Sequence, residues 1–180
     1  PSVLQATTHF IGGDTSDSTE VARHMWWFTH SLRTGQDFFY QSNLGYPEGF
    51  SSAVFLSVPL YVLPMGLFAF VMPLALAFNF TIWLTMALNG WAMFLLARNR
   101  LQSDSHYPAI LAGLIFMAAP VFQGHIADGH SGLIVMWAFP LYLLALFKLV
   151  EAPRLDWRWL ALSVLFFFWP LTQISPASAL

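Results

Sequence analysis

From Gly49 to Ala97 the chain runs for 49 residues without one Asp, Glu, Lys or Arg. One helical crossing of a bilayer takes roughly 20 apolar residues, so this stretch alone has the length of about two crossings. A water-soluble domain carries about 25% charged residues; here only 9% are charged and the mean hydropathy is +0.61. The apolar runs are continuous instead of alternating, which points to helices and away from a membrane barrel. The fold class expected is all-α: a polytopic helical membrane protein.

Residues 1–50 stand apart. They hold seven of the 16 charges, with turn signals at Gly12-Gly13 and Gly45-Tyr46-Pro47. Between those turns, Val21, Met25, Phe28 and Leu32 recur at i, i+4, i+7 and i+11, the stripe of an amphipathic helix. Glu20, Arg23 and His24 fall on its opposite side. Such a helix suits the membrane interface, as do Trp26 and Trp27. Residues 51–180 then divide into apolar spans at 51–72, 73–97, 108–122, 133–150 and 157–175. The first is interrupted by Pro59 and Pro64 and reads as re-entrant or interfacial. Arg98 and Arg100 mark one cytoplasmic loop; Lys148, Arg154 and Arg158 mark another. That places Gln123–Ser131 outside. The chain opens without an initiator Met and stops just after an apolar run, so it is expected to be a fragment truncated at both ends.

Several chemistries are excluded. A net charge of −2 with no basic cluster gives nucleic acid no footprint. The lack of cysteine removes disulfides, thiolate metal sites and cysteine nucleophiles. No Gly-x-x-x-x-Gly-Lys, Gly-x-Gly-x-x-Gly or His-Glu-x-x-His motif occurs.

Three stretches carry candidate chemistry. In Asp14–His24, positions Asp17, Glu20 and His24 share a helical face, and a carboxylate there can act as general base toward a hydroxyl. The same Asp17-x-x-Glu20 spacing also reads as a capping box at a helix start, and both readings stay open. In "GHIADGH", Gly124 to His130, the groups His125, Asp128 and His130 could meet a metal or a phosphate, or form a plain polar loop. In "NLGYPEGFSS", Asn43 to Ser52, Glu48 either faces a polar substrate or sits on an interfacial turn. Arg23 and Arg33 are the cations of residues 1–50 and either could meet a phosphate. Asn79 and Asn89, inside the second span, suit interhelical hydrogen bonds.

The succession "THFIGGDTSD", "MWWFTHSL", "YPEGFSS", "FNFTIWLTMALNGWAMFLLAR", "DGH" and "WAFPLYLLALFK" resembles the amino-terminal part of multi-pass glycosyltransferases of the GT-C superfamily, closest to a poorly characterised bacterial and archaeal branch. The resemblance runs to about Lys148. The family carries an Asp some nine residues before a Trp-Trp pair, and Asp17 stands nine residues before Trp26; Asp14 is an additional acid. Its Tyr-Pro-x-Gly turn matches Tyr46-Pro47-Glu48-Gly49, and its second-loop Gly-His matches Gly129-His130. The family's first helix and later helices have no counterpart here.

The resemblance implies a GT-C fold with interfacial helices in a first outer loop. It implies an inverting transfer of sugar from a polyprenyl-phosphate donor, outside the cytoplasmic (plasma) membrane, to a glycan, lipid or protein acceptor. Asp17 would be the catalytic base. Asp14, Glu20, Arg23, His24, Glu48 and His130 would line the substrate site. A divalent metal, if used, would sit on Asp128 and His130. The rival expectations are a transporter or flippase of lipid-linked sugars and a structural membrane subunit.

Overall fold

The computed structural model describes residues 7–12, 16–51, 66–101 and 104–171. Most of them are helical. The order is α1 (Ser16–Thr34), a hairpin of two short strands β1 (Tyr40–Gln41) and β2 (Phe50–Ser51), α2 (Leu74–Leu101), α3 (Tyr107–Met117), α4 (Pro120–Ala127), a 3-10 turn (Ser131–Ile134), α5 (Ala138–Glu151) and α6 (Trp157–Leu171). Three helical stretches, Leu74–Leu101, Tyr107–Ala127 and Ser131–Glu151, are long and apolar enough to cross a membrane. Of the span expected at 51–72, only residues 66–72 are described; 52–65, like 1–6, 13–15, 102–103 and 172–180, lie outside the described residues.

The described residues form two compact units. One draws on Pro1–Ile82 and His125–Gly132, the other on Trp83–Gly124 and Leu133–Leu171.

In the first unit α1 is buried on two sides. Ser18, Ala22, Met25 and Thr29 make one buried row, and His24, Trp27, Phe28 and Ser31 a second. The expected single stripe is therefore too narrow: Leu32 is half exposed and His24 is buried. Trp27 and Phe28 pack with Phe38, whose ring meets Phe28 edge-on at 6.1 Å. The backbone at Gly66 lies on Phe28, where an added Cβ would come within 2.3 Å of the ring. The hairpin pairs Tyr40 with Ser51 and Gln41 with Phe50, antiparallel. Its loop contains a cis Tyr46–Pro47 peptide and glycines 45 and 49 at positive φ. The Tyr40 hydroxyl donates to the Glu48 carbonyl and closes it.

At 28 residues, α2 is about 42 Å long at 1.5 Å per residue. Its buried row is Phe78, Ile82, Thr85, Asn89, Ala92 and Leu96, while Phe80, Trp83, Leu84 and Trp91 are exposed. A helix apolar on its exposed face as well belongs in lipid. α3, with exposed Ile110, Leu111, Leu114 and Ile115, has the same character.

In the second unit α2 and α3 touch through glycines. A Cβ at Gly113 would stand 2.6 Å from the Gly90 carbonyl oxygen, and one at Gly90 would stand 2.9 Å from Met117 Sδ. Small residues let membrane helices approach this closely. Gly113→Val should force the pair apart and lower stability by about 1–3 kcal/mol. Gly124→Ala, with nothing within 4 Å of its Cβ, is the control and should melt like the wild type. Thermal unfolding in detergent reads both, and a Gly113→Val protein as stable as the control would refute the contact. Elsewhere in this unit α5 and α6 pair through Trp137 with Phe166 and Tyr142 with Phe167, at 6.3 and 5.6 Å.

Two helix boundaries differ from the sequence expectation. α2 continues past Ala97 through Arg98 and Arg100, because cations in a last turn are favoured by the helix dipole. The span expected at 108–122 is broken at Ala118–Ala119, before Pro120, and resumes to Ala127. His125 therefore stands on a helix and not in a loop.

Candidate functional site

Asp17 lies in the first turn of α1, and His130 lies 113 residues later, in the bend after α4. The fold brings them together: His130 Nε2 is 3.3 Å from Asp17 Oδ2. Both side chains stay open to solvent, at 53% for Asp17 and 41% for His130, so a dissolved hydroxyl can reach the pair. At the next residue, the buried Ser18 hydroxyl donates to the Gly129 carbonyl at 3.4 Å. The bend itself is tight. Gly129 takes φ +77, its N–H bonds to the Ile126 carbonyl, and the His130 N–H bonds to the His125 carbonyl at 2.8 Å. Positive φ favours glycine, which is why a Gly precedes this His. His125 stands with its ring 5.8 Å from that of His130.

The segment leading toward α1 is held against the same bend. Gly12, at φ +89, approaches so closely that a Cβ would lie 2.5 Å from the Ile126 carbonyl oxygen and 3.0 Å from Gly129 Cα. Asn79, fully buried, fixes this approach. Its Nδ2 donates to the His9 carbonyl and its Oδ1 accepts from the Ile11 N–H, both at 2.8 Å. Phe10, between those two residues, meets the Phe78 ring edge-on at 5.1 Å. Asn79 was expected to bond another helix; it grips a loop backbone instead. Asn89 does the same in the other unit, donating to the Ile134 carbonyl at 2.8 Å and accepting from the Met136 N–H at 3.1 Å.

A second polar group sits further along α1. Glu20 turns forward, 3.6 Å from Arg23 Nη2 and 3.5 Å from His24 Nε2. Residues 13–15, which lead into the start of α1, lie outside the described residues. Arg23 Nη1 donates to the buried Gln41 Oε1 at 2.8 Å, and the guanidinium lies 5.4 Å from the centre of the Phe50 ring. Arg23 thus ties α1 to both strands of the hairpin. Arg23 Nη2 also lies 3.2 Å from His24 Nε2. Burial, and then the Arg23 charge, push the His24 pKa below 6.5 against the opposing pull of Glu20.

This has a consequence for stability. Below the ordinary pKa of 6.5 the unfolded chain takes up a proton that the folded site resists. The His24 contribution is complete above that pH and is lost as pH falls below it. Melting temperature should therefore drop between pH 7.5 and pH 5, and His24→Gln should flatten the drop. An unchanged slope in the variant would assign the acid sensitivity elsewhere.

Of the other sequence candidates, those among the described residues join neither group. Asp14 lies outside the described residues. Glu48 is exposed on the hairpin loop, and Asp128 is exposed at the turn after α4. Among the described residues no cluster of three or more His, Asp or Glu side chains is placed to hold a metal. Asp128 and His130 alone fall short of a four-coordinate site, and His130 presents Nε2 to Asp17. Arg33 donates to the Phe70 carbonyl at 3.2 Å and covers the Phe70 ring, far along the helix from Asp17. Gln41 was not singled out from sequence; a lone amide in a polar stretch carries no signal of its burial. The Gly12 approach was equally silent, although its Gly-Gly pair marked a turn.

No family model, curated protein or solved structure matches the chain.

Proposed function

We propose that the protein is a GT-C-type glycosyltransferase that moves a sugar from a polyprenyl-phosphate donor to an acceptor hydroxyl outside the cytoplasmic membrane. The observation that carries this reading is the Asp17–His130 pair, in which the matched acid of the first outer loop meets the matched His of the second. In the reaction the acceptor oxygen attacks the anomeric carbon from the face opposite the phosphate. The carbon–phosphate oxygen bond breaks, the configuration inverts, and Asp17 takes the hydroxyl proton. An ionised carboxylate has about four lone-pair sites, so the approach of the imidazole at 3.3 Å leaves room for that hydroxyl. His130 orients the carboxylate. Arg23, held in place by Gln41 and Glu20, is the cation assigned to the departing phosphate.

A second reading has a specific observation behind it. Asp17 lies in the first turn of α1, where an acid is favoured by the dipole, and the His130 contact could serve only to join helix to loop. It makes the protein a structural membrane subunit. A flippase is not favoured, because the described membrane stretches carry few polar groups along their length.

Topology tests the proposal together with turnover. The chain has no native cysteine, so single thiols at exposed Ser42, Ala127 and Ser105 report sides cleanly. Impermeant reagents should reach Ser42→Cys and Ala127→Cys in intact cells and Ser105→Cys only after permeabilisation. Membranes carrying the protein should release label from a polyprenyl-phosphate sugar. Labelling of Ser42→Cys from the cytoplasm alone would remove the active site from the side where the donor head lies.

A further inference from the structure

The charged end of the second unit holds a cavity that sugar transfer does not use. It has a volume of about 280 Å³ and is lined by Leu95, Arg98, Asn99, Leu144, Lys148 and Trp159. These residues come from the last turns of α2 and α5 and the first turn of α6, so three helix ends meet around it. We propose that this cavity binds the headgroup of an anionic, hydroxyl-bearing phospholipid of the phosphatidylglycerol class.

Four observations converge on that ligand. The first is charge in excess. Arg100 is paired with Glu151 and stacks over Phe147. Lys148 feels the same carboxylate only at longer range, and Arg98 makes no hydrogen bond or ion pair among the described residues. Lys148 is half-buried, which makes an anionic partner worth more to it than water-exposed pairing would. The second is an unmet acceptor. Asn99 Oδ1 is buried and has no hydrogen-bond partner. A phosphate cannot serve it, but a headgroup hydroxyl can once the amide turns its oxygen into the cavity, since an amide oxygen needs a donor. Leaving such an atom unmet is costly. The third is level. Lys, Arg and Trp collect at the membrane–water boundary, and here both cations and Trp159 border one cavity. The fourth is the floor. Leu95 and Leu144 line the same cavity and offer apolar surface to the glycerol and first methylenes of the lipid. Basic pockets between membrane helices are a recurrent way of holding acidic headgroups.

A soluble phosphate shares part of this chemistry, and the experiment separates the two sources. The full chain is purified in a neutral detergent. Its melting temperature and its bound-lipid mass are followed with added phosphatidylglycerol, phosphatidylcholine or inorganic phosphate. Phosphatidylglycerol should raise the melting temperature and remain bound in native mass spectrometry, while phosphatidylcholine does neither. Arg98→Gln with Lys148→Gln should weaken phosphatidylglycerol binding by on the order of tenfold or more. Arg98→Lys with Lys148→Arg should restore it, and Arg154→Gln, outside the cavity, should leave it unchanged. Restoration by the charge-conserving pair shows that lost binding is not lost folding. Equal stabilisation by phosphatidylcholine, or full binding by the double Gln variant, overturns the site. Stabilisation by inorganic phosphate with no further gain from the lipid overturns its assignment to a lipid.

Discussion

Asp17→Asn should lower sugar transfer by on the order of 10²-fold or more while leaving the melting temperature nearly unchanged. The size follows from the chemistry: a positioned general base contributes about 10²–10⁴-fold, and an amide cannot take the proton. The nearly unchanged stability follows from the solvent-open position of the side chain, where losing an acid from a helix's first turn costs about 0.3–1 kcal/mol. Turnover of a labelled polyprenyl-phosphate sugar in membranes carrying the protein reads the first quantity, and thermal unfolding reads the second. His130→Asn should reduce transfer less, because it removes the group that orients the base and not the base. The order of the two variants is the informative part. If Asp17→Asn turns over like the wild type, the pair is structural and the subunit reading stands. If only His130→Asn is inactive, the base has been assigned to the wrong residue.

The largest effect on stability should come from Asn79→Leu. The substitution nearly conserves volume but strips partners from the Ile11 N–H and the His9 carbonyl. Each buried group left unmet costs about 1–3 kcal/mol. Both sit in a part-buried segment, so a combined loss of roughly 2–4 kcal/mol is expected. Transfer should fall as well, although Asp17 is untouched, because residues 7–12 hold the close approach of Gly12 to the Ile126 carbonyl. Phe80→Leu, on the exposed side of the same helix, should change little. A melting temperature for Asn79→Leu within error of the wild type would mean that the amide does not grip the loop.

How much of this was open to reading in the sequence depends on the residue. The helical membrane character followed from charge-free length alone, and three long apolar helices stand where apolar runs were marked. Helix ends were harder. Arg98 and Arg100 were taken as loop because they are charged, yet a last turn welcomes cations. Gly124 and His125 were taken as loop because glycine punctuates chains, yet Pro120 restarts the helix there and carries it to Ala127. The site was legible as separate residues and not as a site. Asp17 and His130 were both named, but no periodicity spans 113 positions, and only the fold joins them. His24 was placed on the right helix with the wrong surroundings: a stripe reads one face, and α1 buries two. Gln41 and Asn79 were out of reach for a different reason. Their partners are a side chain and a backbone in other segments, and amide residues look the same in sequence whether exposed or buried.

The grip of Asn89 on Ile134 and Met136 has a consequence for what this chain tolerates. The amide meets a carbonyl and an N–H two residues apart, as a neighbouring peptide unit would. It therefore measures distance along the chain as well as satisfying polar groups. The exposed side chains of Leu133 and Met136 can change with little effect on that measurement, since only backbone atoms are touched. A single inserted or deleted residue would move one of the two groups out of reach. It would also rotate the start of α5 by about 100°, turning its buried row toward lipid. This short stretch should behave as a fixed-length spacer: permissive to substitution at its exposed positions, intolerant of any change in residue count.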